Sequence, residues 1–360
     1  MKVFSKRLPA LSASVAFVVA ILSPVTTAAN AAVVRWDPPF DYRNHATLIH
    51  YPSALPATKP WILCIAFPHI KDAYWLSVNY GMVEEARRLG VEVRFLEAGG
   101  YLNLQRQRDQ VKECAAMADV DALIIGTISF DGLSDLIKEI SRKMPVLATV
   151  NDIANADIAG KVGVSWYDMG RLIGEYLVAR HPVAGAPIPI VWFPGPHDAG
   201  WVPFVDRGFR EAIRHSRITI ATTAWGDTDK AVQRNLVQNA LDKYPKVRYL
   251  VGNALMAEAA ISVLRERGIQ DKTAIISTYF TPGVYRGIIR GRILAAPSDS
   301  PVLQGRLSIG QAVNLLEERS YIKHLGPAIK MVDAATLKNI HLEDDMTPST
   351  FSPQFSYVPK

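Results

Sequence analysis

Cysteine is nearly absent from this sequence: Cys64 and Cys114 are the only two in 360 residues. So few cannot staple a small domain, and without a C-x-x-C pair they suggest neither a zinc ribbon nor a dithiol redox centre. In an exported chain they permit one disulfide; the alternative is two separately buried thiols. Cys64 falls on the first expected strand and Cys114 late on the second expected helix of a β-α-β-α-β run. A right-handed crossover carries that helix back over the first strand, so the two sulfurs can meet. Catalytic motifs are missing too. There is no G-x-x-x-x-G-K-[ST] and no H-E-x-x-H, and "GVSWY" departs from G-x-S-x-G at its last position. The eight histidines are scattered, so neither a metal site nor a cofactor is implied.

A large excess of one charge is also lacking. The formal charge is +6, and Lys2, Lys6 and Arg7 stand in an N-terminal segment without acids, which leaves +3 for the rest. Elsewhere basic residues alternate with acids, as in "EEARR" and "RQRDQVKE", which reads as solvated helix faces and argues against nucleic acid. Only one apolar run stands out, from about Leu11 to Leu22, and it is followed by small residues ending Ala29-Asn30-Ala31. Residues 1–31 therefore read as a secretory signal peptide cleaved near Ala31. The alternative is an uncleaved anchor, but a membrane span needs roughly 20 apolar residues and this run is shorter.

What the chain does have is alternation. From Pro60, short apolar runs ("WILCIAF", "VEVRFLEA", "ALIIG", "PVLATV") alternate with amphipathic segments, and after "NDIANADIAG" the pattern restarts. Near-continuous apolar strands separated by helices predict parallel sheets covered on both faces. The expectation is α/β: two Rossmann-like lobes joined by a multi-stranded hinge. The expected division is a first lobe over 60–151 plus 299–322 and a second over 152–298 plus 323–340. Residues 32–59 read as an N-terminal extension and 341–360 as an irregular tail.

Over about Pro60 to Lys330 the sequence resembles the type I (ribose-type) periplasmic binding proteins. "GNALMAEAAISVL" matches their strand, Asn-Asp, helix element, and "STYFTPGVYRGIIRGRILAA" matches their element with Gly-Arg/Lys-Ile after a helix. Within that family, "KDAYWLSVNYGMVEEARRLGVEVRFLEAGGY", "KVGVSWYDMG", "PGPHDAG" and "GDTDKAVQRNL" resemble the branch that senses trimethylamine N-oxide. The resemblance implies a non-enzymatic periplasmic protein that reports ligand to a membrane sensor histidine kinase and meets the inner membrane only through that partner. The alternative is the receptor of an ABC-type importer for a sugar or other small solute.

In that fold the ligand lies between the lobes, at loops after the strands. The candidates on those loops are Asp72, Tyr74, Trp75, Trp166, Asn253, Tyr279 and Asp299; the same loops carry Ser298, Asn151 and Asp152, the last two also suited to hinge geometry, and Trp201, which also fits the start of a helix. Sugar receptors generally place Asn, Asp or Arg at the positions of Trp166 and Tyr279, because each sugar hydroxyl needs a partner. Trimethylamine N-oxide presents three methyls about a formally positive nitrogen and one oxygen that only accepts hydrogen bonds. Ring faces suit the methyl cluster. Tyr74, Trp75, Trp166 and Tyr279 are the expected cage, with Asp72 supplying negative charge. For the oxide, Asn253, a tyrosine hydroxyl and a backbone N–H all remain open.

Overall fold

The computed structural model describes residues 31–43, 45–182 and 185–359. The expected signal peptide, apart from Ala31, lies outside the described residues.

A hairpin of β1 (Ala31–Asp37) and β2 (His45–Tyr51) precedes the first α/β run. That run comprises β3 (Ile62–Phe67), α1 (Ala73–Leu89), β4 (Glu92–Glu97), α2 (Leu104–Ala116), β5 (Ala122–Ile125), α3 (Ser134–Ile140), β6 (Val146–Val150) and β7 (Gly160–Gly163). The second run comprises α4 (Trp166–Arg180), β8 (Ile188–Phe193), α5 (Val202–Ile213), β9 (Ile218–Thr223), α6 (Lys230–Lys243), β10 (Tyr249–Gly252), α7 (Ala254–Glu266), β11 (Ala274–Ser277), α8 (Pro282–Ile289) and β12 (Ala295–Ser298). The chain then returns through α9 (Pro301–Leu316) and β13 (His324–Pro327), crosses again to β14 (Lys330–Asp333), and ends in α10 (Leu342–Asp345) and β15 (Ser356–Tyr357).

Two sheets result. The first has the order β15-β4-β3-β5-β6-β7-β13-β1-β2 and the second β14-β12-β11-β10-β8-β9. In each lobe the first strand lies between the second and third, all parallel, so each has a switch point beside its first strand. Strands β5 and β6 are buried along their whole length, as helices on both faces require.

The chain passes between sheets at Val164–Ser165, Ser298–Ser300 and Ala328–Ile329. Two of these differ from the boundaries expected from sequence, because β7 pairs in parallel with β6 and β13 pairs with β7 and β1, all in the first sheet. The segment read as an extension is likewise part of that sheet, with β1 antiparallel to β13. The Cys64 and Cys114 sulfurs are bonded, tying β3 to α2.

Helix α1 shows how sequence sets the local geometry. Asp72 caps it by accepting the Trp75 N–H at 2.9 Å, and Gly90 ends it in the left-handed conformation at φ 75°. It packs on α9 at backbone contact: a Cβ at Gly81 would overlap the Val302 carbonyl oxygen. In the second lobe α4 and α5 pack the same way, and a Cβ at Gly208 would overlap the carbonyl oxygen of Tyr167.

Candidate binding site

The amino ends of α1, α4 and α5 meet at the space between the lobes. Tyr74 and Trp75 stand in the first turn of α1, Trp166 opens α4 and Trp201 caps α5. Together with Asp72, Tyr101, Asn151, Thr228 and Tyr279 they line one cavity of about 20 Å³ open to the centre of a water molecule. On that measure roughly 10–15 Å³ already admits one water, so the space suits a ligand of very few heavy atoms. A larger open cavity, about 240 Å³, adjoins it and shares Asp72 and Thr228.

The walls are aromatic. Ring centroids lie 5.3 Å apart for Tyr74 and Tyr279, 4.9 Å for Trp166 and Trp201, and 6.0 Å for Trp201 and Tyr279. All are buried, as is Trp75. Two of these rings are held by their polar atoms. Tyr74 donates to the Asp299 carboxylate at 2.5 Å, and Trp166 Nε1 donates to the Val150 carbonyl at 3.1 Å. Val150 itself has φ 66°, an uncommon conformation for a β-branched residue, of the kind that surrounding structure must hold in place.

Polar groups are few and directed. The Tyr101 oxygen accepts from Asn151 Nδ2 at 3.0 Å and from Trp75 Nε1 at 3.3 Å. With both lone pairs engaged, its own proton is available to an acceptor in the cavity. Burial holds its pKa well above the usual tyrosine value, which keeps that proton in place. Burial and the charge of Asp72 likewise push the Tyr279 phenol up, which places the Asp72 field at the cavity. Such a box offers ring faces and one carboxylate to a methylated cation, and a phenol to an oxyanion.

Five of the seven residues expected from sequence therefore meet around one space: Asp72, Tyr74, Trp75, Trp166 and Tyr279. The other two stand outside the lining. Asn253 caps α7 through the Met256 N–H at 3.0 Å, and its amide lies 3.4 Å from the Phe193 carbonyl. Asp299 sits behind Tyr74, fully buried. Sequence reasoning missed Tyr101, whose signal is the Gly99-Gly100 turn after β4, with φ 84° and 142°. Trp201, read from sequence as the start of a helix, does both: it begins α5 and lines the cavity, in the position that the α1 aromatics occupy in the first lobe.

The lobes are closed over this space. Lys71 reaches Asp227 of the second lobe at 3.3 Å, and the Gly200 N–H donates to the Ile128 carbonyl at 2.9 Å. Among the described residues no group of three or more His, Cys, Asp or Glu side chains could hold a metal, and no helix is long and apolar enough to cross a membrane.

Comparison with known proteins agrees with this architecture. The periplasmic protein TorT of Escherichia coli (strain K12) is 37% identical over 303 residues, 84% of this chain and 86% of that protein. A solved ABC transporter solute binding protein from Bradyrhizobium sp. BTAi1, with bound Bis-Tris, is 45% identical with a TM-score of 0.78 and covers 91% of this chain and 98% of its own. Crystal structures of the TorS sensor domain–TorT complex, one without ligand and one with trimethylamine N-oxide, match at 41% identity and TM-score 0.75. They cover 82% of this chain and 100% and 99% of theirs. The model of the periplasmic binding protein domain matches residues 63–320; this chain, with its two type I lobes and a TorT relative, belongs to that family.

Proposed function

We propose that this protein is a periplasmic sensor that binds trimethylamine N-oxide between its lobes and reports it to a membrane sensor histidine kinase of the TorS type, so inducing trimethylamine N-oxide respiration. It acts by binding and not by catalysis, and reaches the periplasm through cleavage of residues 1–31. The observation that carries the reading is the small cavity with aromatic walls, one carboxylate and one phenol whose oxygen already accepts two hydrogen bonds. In this assignment Tyr74, Trp75, Trp166 and Tyr279 surround the methyls, Asp72 faces the nitrogen and Tyr101 donates to the oxide. Trp201 completes the wall. Asp299 and Asn253 act one layer back, on Tyr74 and on the first turn of α7.

The 45% identical ABC transporter solute binding protein favours one other reading, an importer receptor for a small amine. Titration with trimethylamine N-oxide, ribose and galactose, followed by tryptophan fluorescence, tests the ligand. A saturable response to the N-oxide alone is expected, and a response to sugar alone overturns the assignment. A pull-down with the kinase's periplasmic domain, alongside uptake and operon reporters in a deletion strain, separates sensor from importer.

A further inference from the structure

Residues 341–359, in the stretch expected to be an irregular tail, form a strap across the back of the first lobe. Asn79 of α1 exchanges two hydrogen bonds with the Gln354 backbone, at 2.9 and 3.0 Å. Phe95 donates its N–H to the Phe355 carbonyl at 2.8 Å, and β15 adds to the edge of β4. Arg306 of α9 joins Glu84 of α1 and Asp344 of the strap, at 2.6 and 2.9 Å.

At the centre of the strap is Asp345, only 1% exposed. A buried carboxylate is costly unless its oxygens are satisfied. Its Oδ1 accepts from the hydroxyls of Ser298 and Ser300, the latter at 3.1 Å. Those serines flank Asp299 on the crossover between β12 and α9. Ser300 has φ 50°, a left-handed backbone that an L-residue keeps only when its neighbours hold it there. Between them, the Asp299 carboxylate accepts from Tyr74 at 2.5 Å and from Gln304 at 2.8 Å. A continuous chain of contacts thus runs from the strap to a wall of the cavity.

We propose that Asp345 is a positioning residue for the binding site: by fixing the Ser298–Ser300 crossover it keeps Asp299 on the Tyr74 hydroxyl and so aims that ring into the cavity. This rests on the reading that the cavity takes trimethylamine N-oxide. The test titrates the N-oxide into the mature protein. Asp345→Ala weakens binding about tenfold, the size of one lost charge-assisted hydrogen bond. Asp345→Asn, which retains an acceptor oxygen, restores most of that loss. In a Tyr74→Phe background, where the hydroxyl is gone, Asp345→Ala changes affinity by less than about twofold, since residues acting along one path are not additive.

Equal losses in both backgrounds overturn the proposal, as does unchanged affinity in Asp345→Ala. Should that variant fail to fold, Ser300→Ala removes one of the same bonds from the other side and replaces it in the cycle. Amide exchange without ligand provides an independent readout. Protection at the amides of Trp75, Leu76 and Ser300, each hydrogen-bonded in the structure, falls in Asp345→Ala and not in Asn79→Ala, which loosens the strap elsewhere. If the wild type ignores trimethylamine N-oxide, the ligand reading fails and exchange alone decides; unchanged protection then overturns the inference.

Discussion

The Asn151 amide donates to the Tyr101 hydroxyl at 3.0 Å and also to the Thr127 carbonyl at 2.7 Å. Asn151 is thus fixed by the first lobe, and it fixes in turn the orientation of the phenol. Tyr101→Phe should weaken trimethylamine N-oxide binding by roughly 1.5–3 kcal/mol, the worth of a hydrogen bond to a charged acceptor, with little change in thermal stability. Calorimetric titration checks this. Unchanged affinity would move the oxide to another donor.

Trp166→Ala should cost roughly 1–3 kcal/mol of binding, through lost ring attraction and lost apolar contact. Trp166→Phe should cost less. Equal losses in the two variants would mean that the indole bond to Val150 at 3.1 Å, and not the ring face, is what matters.

A buried ion pair sits at the loop after β6, with Lys161 Nζ 2.5 Å from Asp152 and both side chains about 5% exposed or less. Burial pushes the Asp152 carboxyl up, against the pull of Lys161. Lys161→Met leaves that group unpaired and should destabilise the protein by about 3–5 kcal/mol; adding Asp152→Leu should recover much of the loss. Urea midpoints of the single and double variants decide.

Asp299 gives a pH signature. Burial raises its carboxyl from 3.8 to about 6, while Tyr74 and Gln304 pull it down. The folded state therefore holds this proton more tightly than the unfolded one. Its contribution is fully present below about pH 4 and is lost as pH rises through 6, by on the order of 2–3 kcal/mol. Asp299→Asn has no such proton. The wild type minus variant stability should therefore fall between pH 4 and 6 and be flat above, and a difference that rises over that window would contradict the assignment.

The Cys64–Cys114 bond spans 50 residues. Reduction, or Cys114→Ser, should lower stability by up to about 4 kcal/mol on the chain-entropy model. Denaturant curves with and without reductant measure it.

The lobes were legible because buried parallel strands such as "ILCIAF" and "ALII" need apolar residues on both faces, and that need is written locally. The β1–β2 hairpin was not, because its partner β13 lies nearly the whole chain away and no local pattern announces such pairing. The same holds for β7, only four residues with two glycines, whose membership of the first sheet comes from its neighbours. In the site, rings at the starts of helices after a strand could be placed by position. Tyr101 could not, since a glycine turn and not a helix carries it. Asn253 and Asp299 fell on the right loops, but a position on a loop does not say whether a side chain faces the cavity or caps a helix.

The backbone contacts at Gly81 and Gly208 bear on how this protein could acquire a new ligand. Helices held apart by bulky side chains can drift as those side chains change, and a pocket between them widens by degrees. Here the α1–α9 and α4–α5 pairs already touch main chain to main chain, so the frames carrying Tyr74, Trp75, Trp166 and Trp201 have no slack to take up. The bore of the site is fixed like that of a gauge, and descendants with larger or smaller ligands would differ in the rings themselves while the glycines stay.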